Sequence, residues 1–348
     1  MRQRVYLDWN ATTPLRPEAR AAMVAAFDAV GNPSSVHAEG RAARAIVERA
    51  RADLAEALGA GGADIVFTSG ATEAAALALA GRGLACAGVE HEAVLAWCEP
   101  RLAADAAGAV RVDQPGESTL QLANSETGLV QTLPPGLAVS DLTQGFGKLP
   151  LAFDWLGCDM GFVSAHKIGG PKGVGALVVR RGVELAPQLR GGGQELGRRA
   201  GTENVPGIAG FAAAAKAAVR DLSEGVWDRV SGIRNILESA LSAEANRTIS
   251  VGKDGVRLPN TLCLATPGWK GETQVMQMDL AGFAISAGSA CSSGKVRASR
   301  TLLAMGLGEA IAESAIRVSL GPQTTETEVL RFAEAWLRQY RRATLRVG

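Results

Sequence analysis

The chain is poor in the residues that would point to metal or disulfide chemistry. It has only three histidines (His37, His91, His166), too few for a dedicated metal centre. Its five cysteines (Cys86, Cys98, Cys158, Cys263, Cys291) are odd in number and form no CxxC pair. That argues against a disulfide framework or a zinc site and fits a reducing cytoplasm. No run reaches the roughly 18 uncharged apolar residues of a membrane span. The first residues, Met1 to Asp8, lack the apolar core of a secretory signal. Net charge is only +1, so nothing favours a nucleic-acid or anionic-membrane partner.

What is present is a globular composition, 47% hydrophobic and 20% charged. With 348 residues the chain can bury a large core and divide into two domains. Short apolar runs alternate with Ala-rich helical stretches, the pattern of an α/β fold with a mostly parallel sheet. Helices are expected over 17–29, 42–58, from Ala71, and over 207–222. Strands are expected at 65–68, 110–112, 120–123, up to Val163, and at 174–180. Glycines thin out after residue 222, which places a domain boundary there. The expected division is a large domain over 15–222 and a smaller one made of 1–14 and 223–348.

The most informative run is Ser164-Ala165-His166-Lys167-Ile168-Gly169-Gly170-Pro171-Lys172-Gly173. A lysine at a strand end suits covalent capture of an aldehyde, provided burial and nearby positive charge lower its pKa. Phe67 to Glu73 reads as strand, tight turn and helix start. The unpaired N–H groups there suit a phosphate, and Thr72 adds a hydroxyl; an ordinary N-cap reads equally well. Asp141 could be a turn residue or a carboxylate that keeps a heterocyclic nitrogen protonated. His91 could pack in the ordinary way or stack on a planar ring. The glycine-dense loop from Gly191 to Asn204 is too long for a mere turn, as functional loops are. Cys263 sits between Leu262 and Leu264 as a structural thiol would. Cys291 is surrounded by Gly288, Ser289, Ala290, Ser292, Ser293 and Gly294, as an accessible, reactive thiol would be.

Taken in order, YLDWNATTP (6–14), GNPSSVH (31–37), FTSGATEA (67–74), VEHEAVL (89–95), SAHKIGGPKGVGAL (164–177), GRRAGTEN (197–204), SAGSACSSG (286–294) and AIRVSLG (315–321) resemble the NifS-like cysteine desulfurases. These belong to the class V branch of fold-type I pyridoxal-phosphate enzymes. The resemblance runs along nearly the whole chain and implies a mostly parallel central sheet flanked by helices, with a smaller α+β domain. It implies pyridoxal 5'-phosphate held covalently by Lys167. Its phosphate would meet Ala71, Thr72, Ser164 and His166, with Thr202 supplied across a homodimer interface. His91 would stack on the ring, Asp141 pair with the pyridine nitrogen, and Gln144 contact the phenolic oxygen. Arg317, with Asn10, would bind L-cysteine, a role the Arg fork suits. Cys291 would take the sulfur as a persulfide, leave alanine, and serve as a transient ligand of a nascent iron–sulfur cluster. A sulfur-acceptor or scaffold protein completes the implied partners.

The chain departs from the family pattern in places. Ser125 stands where a second Asn usually contacts the cofactor, and the stretch between Gly128 and Asp141 is shortened. Ala76, Leu196 and Pro322 replace the usual Asn, Arg and Arg. Two other readings stay open: a pyridoxal-phosphate lyase or aminotransferase acting on another amino acid, and a degenerate scaffold that only carries persulfide.

Overall fold

The computed structural model describes residues 4–288 and 298–344. Its central sheet is ordered Ala63–Thr68, Gly175–Arg180, Cys158–Ser164, Leu137–Asp141. Gly175–Arg180 runs antiparallel to both neighbours, and the other three strands point the same way. Parallel bridges from Thr119 to Val139 and from Ser118 to Ala85 carry the sheet on to the parallel pair Ala85–Ala87 and Glu99–Leu102. The sheet is thus mainly parallel, as expected, with one reversed strand. Every strand of the central four is buried almost throughout, which explains why these segments read as continuous apolar runs rather than alternating ones.

Helices Pro17–Phe27 and Ala38–Leu58 pack against Val205–Ser223 on one face of this sheet. Gly210 allows the close approach: a Cβ there would stand 2.6 Å from Met23 Cγ. The second of these helices starts four residues before the sequence pattern suggests, because His37 caps it by accepting from Gly40 N. It ends at Gly59, whose φ of 59° suits a residue without a Cβ.

Two expected strands do not form. Residues 110–112 keep only a single bridge, Ala104 to Val110, and Val110 N donates to the side chain of Gln131 instead of a strand. Residues 120–123 are not a continuous strand because their partners alternate. Leu120 N and Leu122 N donate to Val139 and Asp141, while Gln121 N is taken by the Glu90 carboxyl at 2.7 Å.

A second, antiparallel sheet is ordered Ser286–Ala287, Ala315–Ser319, Thr261–Ala265, Ile249–Val251. The N-terminal strand Val5–Tyr6 joins this half of the molecule by pairing with Phe283–Ala284. Helix Glu326–Thr344 closes it. Its Val329, Phe332, Ala333, Trp336, Leu337 and Tyr340 fall on one stripe at helical spacing and are buried. Trp336 lies at the centre, stacked on Tyr340 at 5.4 Å, with its N–H on Gln274 Oε1. One apolar cluster is built from residues between Ala19 and Ala218, another from Val5, Leu7 and residues Trp227 to Tyr340.

Candidate active site

A cleft of about 700 Å³ lies at the carboxyl ends of the same-direction strands, where α/β sheets place their ligands. Strand Cys158–Ser164 delivers Ser164 and, in one tight turn, His166 and Lys167. Lys167 Nζ donates to the backbone carbonyls of Asn10 (2.7 Å) and Ala11 (2.8 Å). Burial lowers its pKa to about 8, with Arg317 adding to the effect while Asp141 and Asp8 oppose it. A substantial share of this amine is therefore neutral near physiological pH, as covalent capture of a carbonyl requires.

Beside it, strand Ala63–Thr68 turns at Ser69-Gly70 into helix Ala71–Leu79, whose N-cap offers no side-chain hydrogen bond. The first N–H groups of a helix have no intrahelical partner. A Cβ on Gly70 would lie 4.0 Å from Ser164 Oγ, so the helix start and the strand end share one corner. Ala71, Thr72, Ser164, His166 and Lys172 all line that corner. His166 is neutral: burial and then Lys167, Lys172 and Lys148 pull it down to about 4. The corner is braced from outside, since Glu73 accepts from Ser69 N (2.7 Å) and from Arg199 (2.8 Å) of the glycine-dense loop. That loop is strained: Glu195 and Leu196 hold φ of 49° and 57°. Glu195 is held there because its buried carboxylate accepts from Phe67 N and from Arg51. Leu196 is 83% exposed, so it does not reach the cleft.

Asp141 closes strand Leu137–Asp141 and accepts from Thr143 N at 2.8 Å. Burial raises its pKa, while Thr143, His91 and Lys167 work against the rise. His91 lines the same wall, with Nδ1 accepting from Ala93 N as the cap of a short helix. Next to it, Glu90 is buried. One carboxyl oxygen accepts from Gln121 N and the other has no partner among the described residues. Burial, helped by Asp141 and Cys98, pushes its pKa well above the usual carboxylate range, against the Gln121 N–H bond.

Arg317 enters from strand Ala315–Ser319 of the second sheet. Asp8 accepts from one of its terminal nitrogens at 2.7 Å and the Ser125 carbonyl from the other at 3.1 Å. Its buried Nε has no hydrogen-bond partner among the described residues. Asn10 lies beneath, 1% exposed, with its amide committed to Thr261 Oγ1 and the Ser125 carbonyl. Gln144 Nε2 donates to the Asn10 carbonyl at 3.0 Å.

The structure thus brings together Asn10, Ala71, Thr72, His91, Ser125, Asp141, Gln144, Ser164, His166, Lys167 and Arg317 in one cleft. Thr202 is exposed and does not line it within a single chain. Cys291 lies outside the described residues. Gly288, Arg300 and Thr301 line the cleft; Gly288 N donates to Ala315 O, and Ser299 N donates to Ala312 O. Glu126 accepts from Ser299 Oγ (2.6 Å) and Thr301 Oγ1 (3.0 Å), anchoring that segment. Asp8, Glu90, Glu126, Lys148 and Lys172 were not singled out from sequence. Asp8 and Glu90 lie within segments that resemble the family's, which is the signal that could have found them. Cys263 is a structural thiol, buried and pushed up to about 12 by that burial. Among the described residues no group of three His, Cys, Asp or Glu could hold a metal ion.

The fold and cleft define an α/β enzyme with an activated lysine between an anion-binding helix start and a guanidinium. The chain belongs to the class-V aminotransferase family, whose model matches residues 5–124 and 119–332. It is 39% identical to a cysteine desulfurase of Cereibacter sphaeroides, over 95% of this chain and 94% of that one. It is 34% identical to a cysteine desulfurase IscS of Dictyoglomus turgidum, over 94% and 92%. Among solved structures, a NifS-like protein from Rickettsia africae superposes with a TM-score of 0.89 at 30% identity, covering 97% of this chain and 99% of that one. SspA in complex with cysteine superposes at 0.76 with 28% identity, covering 92% and 100%.

Proposed function

We propose that this protein is a pyridoxal-phosphate-dependent cysteine desulfurase that converts L-cysteine to L-alanine and carries the sulfur as a persulfide on Cys291. The observation that carries the reading is the joint placement in one cleft of Lys167, with its depressed pKa, and Arg317, whose Nε has no partner among the described residues. Near-full-length identity to cysteine desulfurases supports it.

The residues present fit the cofactor. An uncapped helix start beside Ser164 and neutral His166 suits the phosphate, and a cleft of about 700 Å³ leaves room for cofactor and amino acid. Ala71, Thr72, Ser164 and His166 would hold the phosphate, His91 the ring face, Asp141 the ring nitrogen, and Gln144 with Ser125 the ring's polar edge. Thr202 would reach the phosphate of the partner subunit of a homodimer. When bound, pyridoxal phosphate supplies an aldehyde for amine exchange and an electron-withdrawing ring.

Lys167 would hold the cofactor aldehyde through its amine and serve as a base for the substrate's Cα proton. Arg317, aimed by Asp8 and the Ser125 carbonyl, takes the substrate carboxylate, with Asn10 behind it. His91 shields the wall and exchanges protons. Cys291 thiolate attacks the substrate sulfur: an S–S bond forms, the Cβ–S bond breaks, and its electron pair stays on Cβ, which takes a proton to become alanine. No outside oxidant is needed, because carbon gains the electrons that sulfur loses.

The sulfur would go to an acceptor or scaffold protein, most plainly for iron–sulfur cluster assembly in the cytoplasm. One solved neighbour holds cysteine, which favours this amino acid over the substrates of a lyase or aminotransferase. We take the large domain as 15–222 and the small one as 1–14 with 223–348, so that the cleft lies between Lys167 of one and Arg317 of the other. The deciding experiment incubates purified protein with L-cysteine and dithiothreitol and measures alanine and sulfide together. Equal amounts are expected. Cofactor binding with neither product would leave a scaffold.

A further inference from the structure

The Lys148 ammonium group is an oddity of this site. The residue is 3% exposed, yet no carboxylate among the described residues lies within ion-pair distance. Burial, then Lys167 and Arg317, push its pKa well below the ordinary amine range. A lone buried lysine is costly to keep, so what it touches matters. Nζ stands 2.6 Å from Gln144 Oε1, with Asn10 Oδ1 at the longer distance of 3.4 Å. Gln144 is one turn earlier in the chain and itself buried, 5% exposed, with its side chain on the cleft.

A glutamine amide can sit either way round, since its oxygen and nitrogen are alike in size and differ only in hydrogen bonding. The Asn10 carbonyl can only accept, so Gln144 Nε2 faces it, and Oε1 is turned to accept from Lys148. That leaves Nε2 on the opposite side. One of its hydrogens goes to the Asn10 carbonyl at 3.0 Å, the same carbonyl that receives Lys167. The other is left for the cleft. Asn10 Oδ1 is already paired with Asn260 Nδ2 at 3.0 Å, so it does not compete strongly for Lys148.

We propose that Lys148 is a positioning residue: its hydrogen bond to Gln144 Oε1 fixes that amide with a donor toward the cleft, and so presents an N–H to the phenolic oxygen of the cofactor. The inference rests on the proposed function. Together with the Asn10 carbonyl, Lys148 thereby holds Gln144 with a donor and not an acceptor toward the cleft.

The test uses the full-length protein and added pyridoxal phosphate, with Lys148→Met and Lys148→Gln made alone and in a Gln144→Ala background. The dissociation constant for pyridoxal phosphate and the pH midpoint of the bound cofactor's visible absorption are read for each. A donor lost from a phenolic oxygen makes the bound chromophore hold its proton to higher pH. Lys148→Met is expected to weaken binding roughly tenfold and to raise the midpoint by about one unit. Lys148→Gln, a shorter side chain that keeps a donor, should move both quantities less. In the Gln144→Ala background neither substitution should shift the midpoint further, which a merely structural lysine would not achieve. An unchanged midpoint and affinity in folded Lys148→Met or Lys148→Gln overturns the inference, as do equal effects in both backgrounds. A wild-type protein that binds no pyridoxal phosphate overturns the proposed function, and the inference falls with it.

Discussion

The floor of the cleft and its flanks are built on opposite plans. In the floor, Asn10, Gln144, Lys148, Asn260 and Thr261 donate to and accept from one another, with one Gln144 Nε2 hydrogen left over for the cleft. On the flanks, Arg317 Nε and one oxygen of Glu90 are buried without partners among the described residues, and the start of helix Ala71–Leu79 has no side-chain cap. An unmade hydrogen bond in a buried place costs stability, so unpartnered groups mark where a ligand completes the structure. A closed network instead holds its members in one arrangement. The floor is a template, and the flanks are the binding surfaces.

Variants of the lysine held by the floor should have the largest effects. Lys167→Ala is expected to lower turnover by about 10³-fold or more, and the purified variant should lose the yellow colour of the bound cofactor. A variant with near-normal alanine production would show that the amine is not the exchanging group. Cys291→Ser should bind pyridoxal phosphate normally yet yield no persulfide by mass spectrometry. Full sulfide production from it would replace the desulfurase with a lyase.

On the flanks, Arg317→Ala should raise KM for L-cysteine by about 10²-fold while leaving cofactor affinity near wild type. A change in kcat alone would place the substrate carboxylate elsewhere. Asp141→Asn should keep the cofactor but cut kcat by about 10²-fold, because an amide cannot stabilise a ring cation as a carboxylate does. Activity near wild type would remove Asp141 from the ring nitrogen. Beside the flank, Glu126→Ala should lower kcat only about five- to tenfold, through the loss of Ser299 and Thr301 as anchored partners.

A pH measurement sharpens the same contrast. Lys167 has its pKa lowered to about 8, so it is charged below that pH and increasingly neutral above it. The rate at which cofactor-free protein captures pyridoxal phosphate should therefore rise with pH through about 8 and level off beyond it. His166, held near 4, should contribute no change between pH 6 and 9. A capture rate that stays flat across pH 8 would show that Lys167 is not the group being titrated.

Local pattern and tertiary contact divided the work between them. Ser164 to Lys167 and Phe67 to Glu73 were legible because strand, turn and helix start depend on neighbouring residues, and the chemistry they offer sits within a few positions. The stripe on helix Glu326–Thr344 follows from the same local periodicity. The failed strand at 120–123 shows the limit: its apolar pattern is right, but Gln121 N pairs with Glu90, 31 residues away.

The chain's sequence by itself determined the α/β class, the strand-end lysine, the helix start for an anion and the family to which the motifs belong. Only the tertiary structure decided that Asp8 aims Arg317 across 309 positions, that Gln144 and Lys167 meet on the Asn10 carbonyl, and that burial beside Asp141 raises the pKa of Glu90. Backbone preference and hydrophobic period act over a few residues and leave their mark in the sequence. The charge state of a buried group and the partner it meets depend on which distant segments are packed around it, and that is settled only when the two sheets close over the cleft.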